Sequence, residues 1–187
     1  IRSYIPFKKS KKDMLYQLID PFTLFHFRFM GDPGSYLKGY WQKMQATAFY
    51  ESWCGYAFEI VCLNHIDQIV QALGIDGTIN KPCSWFYRPP KNTSGETDED
   101  LKHGAQIDLL IDRSDKCISI CEMKYSSDEY EITKSYDSQL ARRIRIFRKI
   151  TQTKKSLLPA FITPNGLLDN MYARKISREV KGDALFA

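Results

Sequence analysis

Residues 104–125 read GAQIDLLIDRSDKCISICEMKY, two apolar runs separated by a polar turn. Short apolar runs that flank turn residues predict two antiparallel strands joined as a hairpin. Each predicted strand also carries charge: Asp108 lies in the first, and Glu122 and Lys124 lie in the second. An unpaired charge inside a covered sheet costs several kcal/mol. These three residues therefore require a structural or functional reason.

The hairpin geometry predicts that the three charges meet. With the turn centred near Ser114, Asp108 lies opposite Ile120, and Glu122 is its diagonal neighbour on the same face. Glu122 and Lys124 are two residues apart, so their side chains point to the same side of the strand. Because both faces are apolar elsewhere, we expect helices on both faces. The opposite face is predicted to carry Ile107, Leu109 and Ile111.

Two carboxylates and a lysine at one end of a sheet suit phosphodiester hydrolysis. Carboxylate oxygens bind hard divalent cations such as Mg²⁺. The cation polarises a phosphoryl oxygen and lowers the pKa of a bound water. A lysine can orient that water or stabilise charge on the phosphorus. The alternative interpretation is a structural ion pair between neighbouring strands.

The rest of the chain predicts the order helix, three strands, helix, strand. A long interrupted helical pattern covers 36–73, and a strand follows at 84–88. The polar stretch 89–104 predicts an exposed loop before the hairpin. A basic amphipathic helix at 135–152 then leads to a strand at 156–163. This order predicts an α/β fold with a mixed sheet flanked by helices.

The charged residues resemble the motif of the PD-(D/E)XK nuclease superfamily, whose restriction-endonuclease-like core has this order of elements. The resemblance matches Asp108 to the metal-binding aspartate, Glu122 to the second acidic ligand and Lys124 to the catalytic lysine. The residue before Asp108 is Ile107 instead of the proline of the motif. That proline varies widely in the superfamily.

Two further residues match positions that many or some members use. Glu59, in WCGYAFEIVCLNHI (53–66), fits the additional glutamate on the first core helix. Gln139 fits a glutamine in the first turn of the helix after the lysine. The resemblance thus implies Asp108, Glu122 and Glu59 as ligands of Mg²⁺ or Mn²⁺. It implies Lys124 and Gln139 as catalytic residues beside them.

A closer resemblance covers nearly the whole chain. The chain is similar to the C-terminal region of prokaryotic, archaeal-type DEXX-box P-loop ATPases, in which an ATPase domain and a winged helix precede a nuclease-like domain. No GxxxxGK[ST] phosphate loop occurs in this chain. We therefore expect residues 1–30 to be a remnant of the winged-helix domain and residues 31–187 to be the nuclease-like domain. The segments that carry the resemblance are YQLIDPFTLFHFRFM, GYAFE, GAQIDLLIDR, EMKYS, FITPNGL and KGDALF.

The charge distribution points to DNA as a partner. The chain has 27 Lys and Arg against 22 Asp and Glu, a modest excess whose distribution matters more than its size. Much of the excess lies on the predicted helix at 135–152, where it can contact phosphates, although such a stripe can also be a solvated face. The residues predicted to bind DNA are Arg142, Arg143, Arg145 and Lys149.

The remaining features concern the cellular compartment and the two predicted functions. The five cysteines are odd in number and contain no CxxC pair, which indicates reduced thiols and a cytoplasmic protein. No apolar run is long enough to span a membrane. The predicted function is metal-dependent DNA cleavage in the C-terminal part of a larger ATPase. The alternative is a non-catalytic nucleic-acid-binding or regulatory module of that ATPase.

Overall fold

The protein is described here by a computed structural model that covers residues 1–31, 33–90 and 97–187. Its helices are α1 (Pro21–Phe25), α2 (Tyr40–Gln45), α3 (Ala48–Asn64), α4 (Ile66–Ala72) and α5 (Lys134–Thr151). Its strands are β1 (Arg2–Tyr4), β2 (Leu15–Gln17), β3 (Asn80–Tyr87), β4 (Ala105–Arg113), β5 (Cys117–Met123), β6 (Ser156–Thr163) and β7 (Arg178–Lys181).

The main sheet has five strands in the order β3-β4-β5-β6-β7. β3, β4 and β5 are antiparallel neighbours, whereas β5, β6 and β7 run parallel. Helix α5 joins β5 to β6, because parallel neighbours need a crossover connection. The predicted α/β class with a mixed sheet is confirmed. The predicted strand at 156–163 is also confirmed, residue for residue.

Helices cover both faces of the sheet, as predicted. On one face, α3 and α4 bury a cluster that includes Cys62, Ile69, Leu109, Ile111, Cys121 and Ile162. On the other face, α5 buries a cluster that includes Ile107, Leu110, Ile118, Ile146 and Phe147. The central strands are therefore apolar on both sides, which explains their nearly continuous apolar sequence.

Side-chain caps set the start of the two long helices. The Thr133 hydroxyl accepts a hydrogen bond of 3.2 Å from the backbone N–H of Tyr136, and α5 begins at the next residue, Lys134. Thr47 caps α3 in the same way, through the N–H of Tyr50. Helix α5 ends where Gln152 adopts a left-handed conformation, with φ of 52°.

The hairpin register differs from the predicted one. Leu110, not Asp108, lies opposite Ile120, because the turn is centred about one residue later than Ser114. The last paired residues at the open end are Leu109 and Cys121. Continued by one residue beyond that pair, this register sets Asp108 level with Glu122 along the strands instead of diagonal to it.

A bulge in β4 changes the predicted division of the faces. Cys83 pairs with Leu110 and Trp85 pairs with Ile107, so that Asp108 and Leu109 together face the single residue Ser84. The extra residue shifts the alternation, and Ile107 joins the α5 face instead of the α3 face. The prediction for Ile107 was wrong, whereas Leu109 and Ile111 share a face as predicted.

The N-terminal segment packs against the main domain. β1 and β2 form a separate two-stranded sheet. Between them, the Phe7 ring lies 5.5 Å from the Phe147 ring, and the Phe7 N–H donates to the Ser84 carbonyl at 2.7 Å. The aromatic run at 22–29 packs on α2 and α3, where Phe29 is surrounded by rings. These rings belong to Phe25, Trp41, Phe49, Tyr50 and Trp53.

The segment before β4 contacts α5. Of the loop predicted at 89–104, residues 91–96 lie outside the described residues. A short 3₁₀ turn at Glu99–Lys102 follows.

In the part of the chain that the structure describes, no helix is both long and apolar enough to cross a membrane.

Candidate active site at the open end of the hairpin

The open end of the β4–β5 hairpin carries the three charges predicted from the sequence. Asp108 lies in the β4 bulge, one residue before Leu109, which is the first residue of β4 that pairs with β5. The Gln106 side-chain amide donates to Asp108 Oδ1. Lys124 follows the end of β5, and its N–H donates to the Ile162 carbonyl at 3.0 Å. This backbone hydrogen bond extends the pairing of β5 with β6 past Met123 and holds Lys124 at the corner of the sheet.

Glu122 lies at the centre of a buried polar network. Its side chain is only 5% exposed. Arg143 Nη1 donates to Glu122 Oε1 at 2.9 Å, and the Tyr136 hydroxyl donates to Glu122 Oε2. Arg143 Nη2 also donates to the Tyr136 hydroxyl oxygen at 3.0 Å. Both carboxylate oxygens are therefore bonded, as a buried charge requires.

Tyr136 connects this network to the lysine. Lys124 Nζ lies 5.4 Å from the centre of the Tyr136 ring, and the Arg143 guanidinium lies 5.5 Å from it. Cations are attracted to the negative face of an aromatic ring. Burial and the neighbouring Glu122 charge raise the pKa of Tyr136 well above its usual range. The phenol therefore stays protonated and donates to Glu122.

Glu59 approaches the same corner from α3. Burial raises its pKa to about 7, and the charge of Asp108 adds to this shift. Lys124 opposes the shift, and Glu122 contributes to it weakly. The charges of Asp108, Lys124 and Glu122 therefore all act on the Glu59 carboxyl.

The donor chemistry at this corner suits a hard divalent cation. When Glu59 is ionised, Glu59, Asp108 and Glu122 carry three negative charges against the two positive charges of Lys124 and Arg143. The excess negative charge falls on the side of Glu59 and Asp108, whose repulsion a cation would relieve. Carboxylate oxygens are the ligands that Mg²⁺ and Mn²⁺ prefer.

Glu122 is the exception among the predicted ligands. Its two oxygens point to Tyr136 and Arg143, so it would have to give up one of these partners to bind a metal ion. Within residues 1–31, 33–90 and 97–187, no three His, Cys, Asp or Glu side chains are grouped as metal ligands. Glu59 and Asp108 are the two predicted ligands that form no salt bridge among the described residues.

Gln139 lies in the second turn of α5, because the helix begins at Lys134. Its amide lies 3.4 Å from the Ser135 hydroxyl, and it lines an open depression of about 540 Å³ together with Arg142. No hydrogen bond among the described residues joins the Gln139 side chain to the carboxylates. The Arg142 Nε is buried and has no acceptor among the described residues.

The other residues predicted to bind DNA have partners within the protein. Arg145 forms two hydrogen bonds of 2.8 and 2.9 Å with Asp100, and Lys149 bonds to both Asp98 and Asp100. The hydrogen bonds from Arg145 hold the pKa of Asp100 far below its ordinary value. Arg143 is buried against Glu122 and is not part of an exposed stripe. Arg145 and Lys149 remain exposed, but of the four predicted residues only Arg142 forms no salt bridge with an acidic residue among the described residues.

Tyr136 and Arg143 are the site residues whose role the sequence did not predict. They are seven residues apart, which places them two turns apart on one face of a helix. They belong to the helix predicted to be basic and amphipathic, whose buried side includes Leu140 and Phe147. A single arginine within an apolar face signals a buried carboxylate partner, and Glu122 was the available candidate.

Comparisons of the chain with protein-family models, with curated proteins and with solved structures found no match.

Proposed function

We propose that this chain is a PD-(D/E)XK nuclease-like domain that hydrolyses phosphodiester bonds in DNA with Mg²⁺ or Mn²⁺. The observation that supports the proposal is that the charges of Asp108, Lys124 and Glu122 all act on Glu59 at one corner of a mixed sheet. A structural ion pair needs one acid and one base. This corner has three carboxylates, which is more than an ion pair needs. When they are ionised, they repel one another unless a cation binds.

The residues of the chain have distinct roles in this proposal. Glu59 and Asp108 hold the cation, and Glu122 joins them when it exchanges a protein partner for the metal. When bound, the cation supplies Lewis-acid polarisation of the phosphodiester. Lys124 orients the attacking water and stabilises negative charge that develops on the phosphate. Tyr136 positions Lys124 through its ring and Glu122 through its hydroxyl.

The DNA backbone would approach over the N-terminal part of α5. Arg142 and the depression beside Gln139 present donors to phosphate oxygens there, and such contacts are independent of sequence. Arg145 and Lys149 are bound by Asp98 and Asp100, so they add little to the positive potential of the free protein. The association with an ATPase and a winged helix in one longer protein belongs to the same proposal, through the resemblance described above.

A second candidate is a non-catalytic nucleic-acid-binding or regulatory module of that ATPase. The observation that favours it is the closed network of Glu122, Tyr136 and Arg143, which satisfies the most buried carboxylate without a metal. In that case the fold would be retained for binding and the corner would serve only stability. The two candidates differ in whether a divalent cation binds and whether DNA is cut.

The test is the nicking of supercoiled DNA at low salt with Mn²⁺ or Mg²⁺. Wild type should nick only with the cation, and Lys124→Ala should lose about 100-fold or more of the rate. Lys154→Ala is the matched control, because Lys154 is an exposed lysine between α5 and β6. Its rate should equal that of wild type. Equal nicking by wild type and Lys124→Ala would refute the proposed site, and no nicking by either would favour the binding module.

A further inference from the structure

A second polar site lies on the other face of the sheet, near the start of β5. Helix α4 covers this face only as far as Ala72, and Gly74 then turns the chain away with φ of +67°. A cavity of about 200 Å³ is left beyond the helix end, over β5, β6 and β7. Its polar lining consists of Arg113, Ser119, Ser177 and Arg178.

The cavity is separate from the carboxylate corner. Ser119 shares its strand face with Cys121, which packs under α3 and α4, whereas Glu122 contacts α5 on the opposite face. Ser119 is also three residues before Glu122, which corresponds to about 10 Å along the strand. A ligand in this cavity would therefore not touch the residues of the proposed nuclease site.

Arg113 brings an incompletely bonded guanidinium to the cavity. Its side chain is 14% exposed. Nη2 bonds to Asp115, and Nη1 lies 3.4 Å from the Ser119 hydroxyl, the upper limit for a hydrogen bond. The buried Nε has no acceptor among the described residues. Native proteins rarely leave such a donor unsatisfied, because its desolvation is not compensated.

The lining carries net positive charge and matches an oxyanion. Arg113 and Arg178 supply two guanidinium groups, and Asp115 offsets only one of them. Ser119, which is 4% exposed, adds a buried hydroxyl, and Ser177 adds a second hydroxyl at the rim. Arginine forks and hydroxyl donors are the groups that bind phosphate oxygens. The volume far exceeds the space of about 30 Å³ that one water occupies.

We propose that the cavity bounded by Arg113, Ser119 and Arg178 binds a phosphate group. The group is either free inorganic phosphate or the terminal phosphate of a larger molecule that continues into solvent through the open side of the cavity. Arg113 Nε and Nη1 and the Ser119 hydroxyl bind it from the inside. Arg178 on β7 closes over it from the outside.

The test measures thermal stability and binding in EDTA, so that the proposed metal site plays no part. Phosphate should raise the melting temperature of wild type above that in NaCl of equal ionic strength, because it binds the folded state. Arg178→Gln should weaken phosphate binding about tenfold in calorimetry, which corresponds to one charged hydrogen bond. Arg178 is exposed, so this variant should fold.

Further variants separate the site from general surface charge. Arg113→Lys should also weaken binding, whereas Asp115→Asn should strengthen it by releasing the Arg113 guanidinium. Arg174→Gln is the control, because Arg174 forms an exposed pair with Asp169 and should bind phosphate as wild type does. A short oligonucleotide with and without a 5′-phosphate distinguishes the two sources. Stabilisation by only the phosphorylated form identifies a terminal phosphate, and stabilisation by only inorganic phosphate identifies the free anion.

The absence of any phosphate-specific stabilisation of wild type would overturn the proposal. Equal weakening by Arg178→Gln and Arg174→Gln would overturn it as well, since the effect would then reflect net charge alone.

Discussion

Replacement of Arg143 by methionine tests the buried network around Glu122. The substitution removes the guanidinium but keeps an unbranched apolar side chain of similar length. Glu122 is 5% exposed and the Arg143 side chain is 20% exposed, so the carboxylate is buried and the guanidinium is largely shielded from solvent. Removal of one partner from a buried pair costs about 3–5 kcal/mol, because the other charge is left uncompensated.

The expected loss lies at the lower end of that range. Tyr136 still donates to Glu122 after the substitution, and the partial exposure of Arg143 lets water reach the gap. We expect Arg143→Met to lower the free energy of unfolding by about 3 kcal/mol, which for a chain of this size corresponds to about 9 °C in melting temperature. Glu122→Gln in the same chain should recover part of the loss, because no buried charge then remains.

Urea unfolding, followed by circular dichroism and tryptophan fluorescence, measures the four corners of this double-mutant cycle. A loss of less than about 0.5 kcal/mol in Arg143→Met would refute the network, since that is the range of ordinary surface substitutions. The same variants also test whether Glu122 binds the metal ion. If Glu122 is a ligand, Mn²⁺ should stabilise Arg143→Met more than wild type, because the cation replaces the missing guanidinium.

Three further predictions concern other parts of the molecule. The Glu59 carboxyl has a pKa of about 7 in the folded state, which is higher than its pKa in the unfolded chain. The free energy of unfolding of wild type should therefore fall as the pH rises between these two pKa values. Glu59→Gln should therefore be more stable than wild type at about pH 8 by about 1–2 kcal/mol, after allowance for solvent screening, and similar at about pH 4. Thermal melts at both pH values measure this, and an equal difference at both would contradict it. Asp100→Asn should strengthen DNA binding at low salt and steepen the slope of log affinity against log salt by about 0.9, because Arg145 is released to contact a phosphate. Fluorescence anisotropy over a salt series decides this, with an unchanged slope as the negative result. Phe29→Ala should cost about 3–5 kcal/mol in urea unfolding, because Phe29 is 2% exposed within a ring of aromatic side chains; a much smaller loss would show that the aromatic segment is not firmly packed.

The sequence predicted most of the elements because their signals are local. The strand at 156–163 and the helix at 135–152 have strong periodicity, and the helix was displaced by only one residue because Thr133 serves as its cap. The predicted interruption of the first helical stretch was also correct, since three helices cover it. β3 was too short in the prediction, because Pro82 hid the first half of the strand.

The details of the site depended on features that strand alternation cannot show. A bulge adds one residue to a strand without a reliable sequence signal, and it moved Ile107 to the other face. The turn at Lys116, with φ of 64°, moved the register so that Asp108 lies level with Glu122. The partnership of Glu122 with Tyr136 and Arg143 is a contact between elements, which no local pattern contains.

The loop before β4 shows the same limit for the basic residues. Arg145 and Lys149 were predicted as exposed DNA contacts from the charge of α5 alone. Their partners, Asp98 and Asp100, lie about fifty positions earlier in the chain, and only the fold brings them together. Charge patterning along one helix therefore overestimates the surface available to DNA.

The most direct test of the central proposal is anomalous diffraction from a crystal soaked in Mn²⁺. The proposal predicts a peak between the carboxylates of Glu59 and Asp108, at distances of about 2.1–2.3 Å from their oxygens, and its loss in Asp108→Asn. A soaked crystal in which Glu122 keeps both Tyr136 and Arg143 and no peak lies beside Asp108 would contradict it.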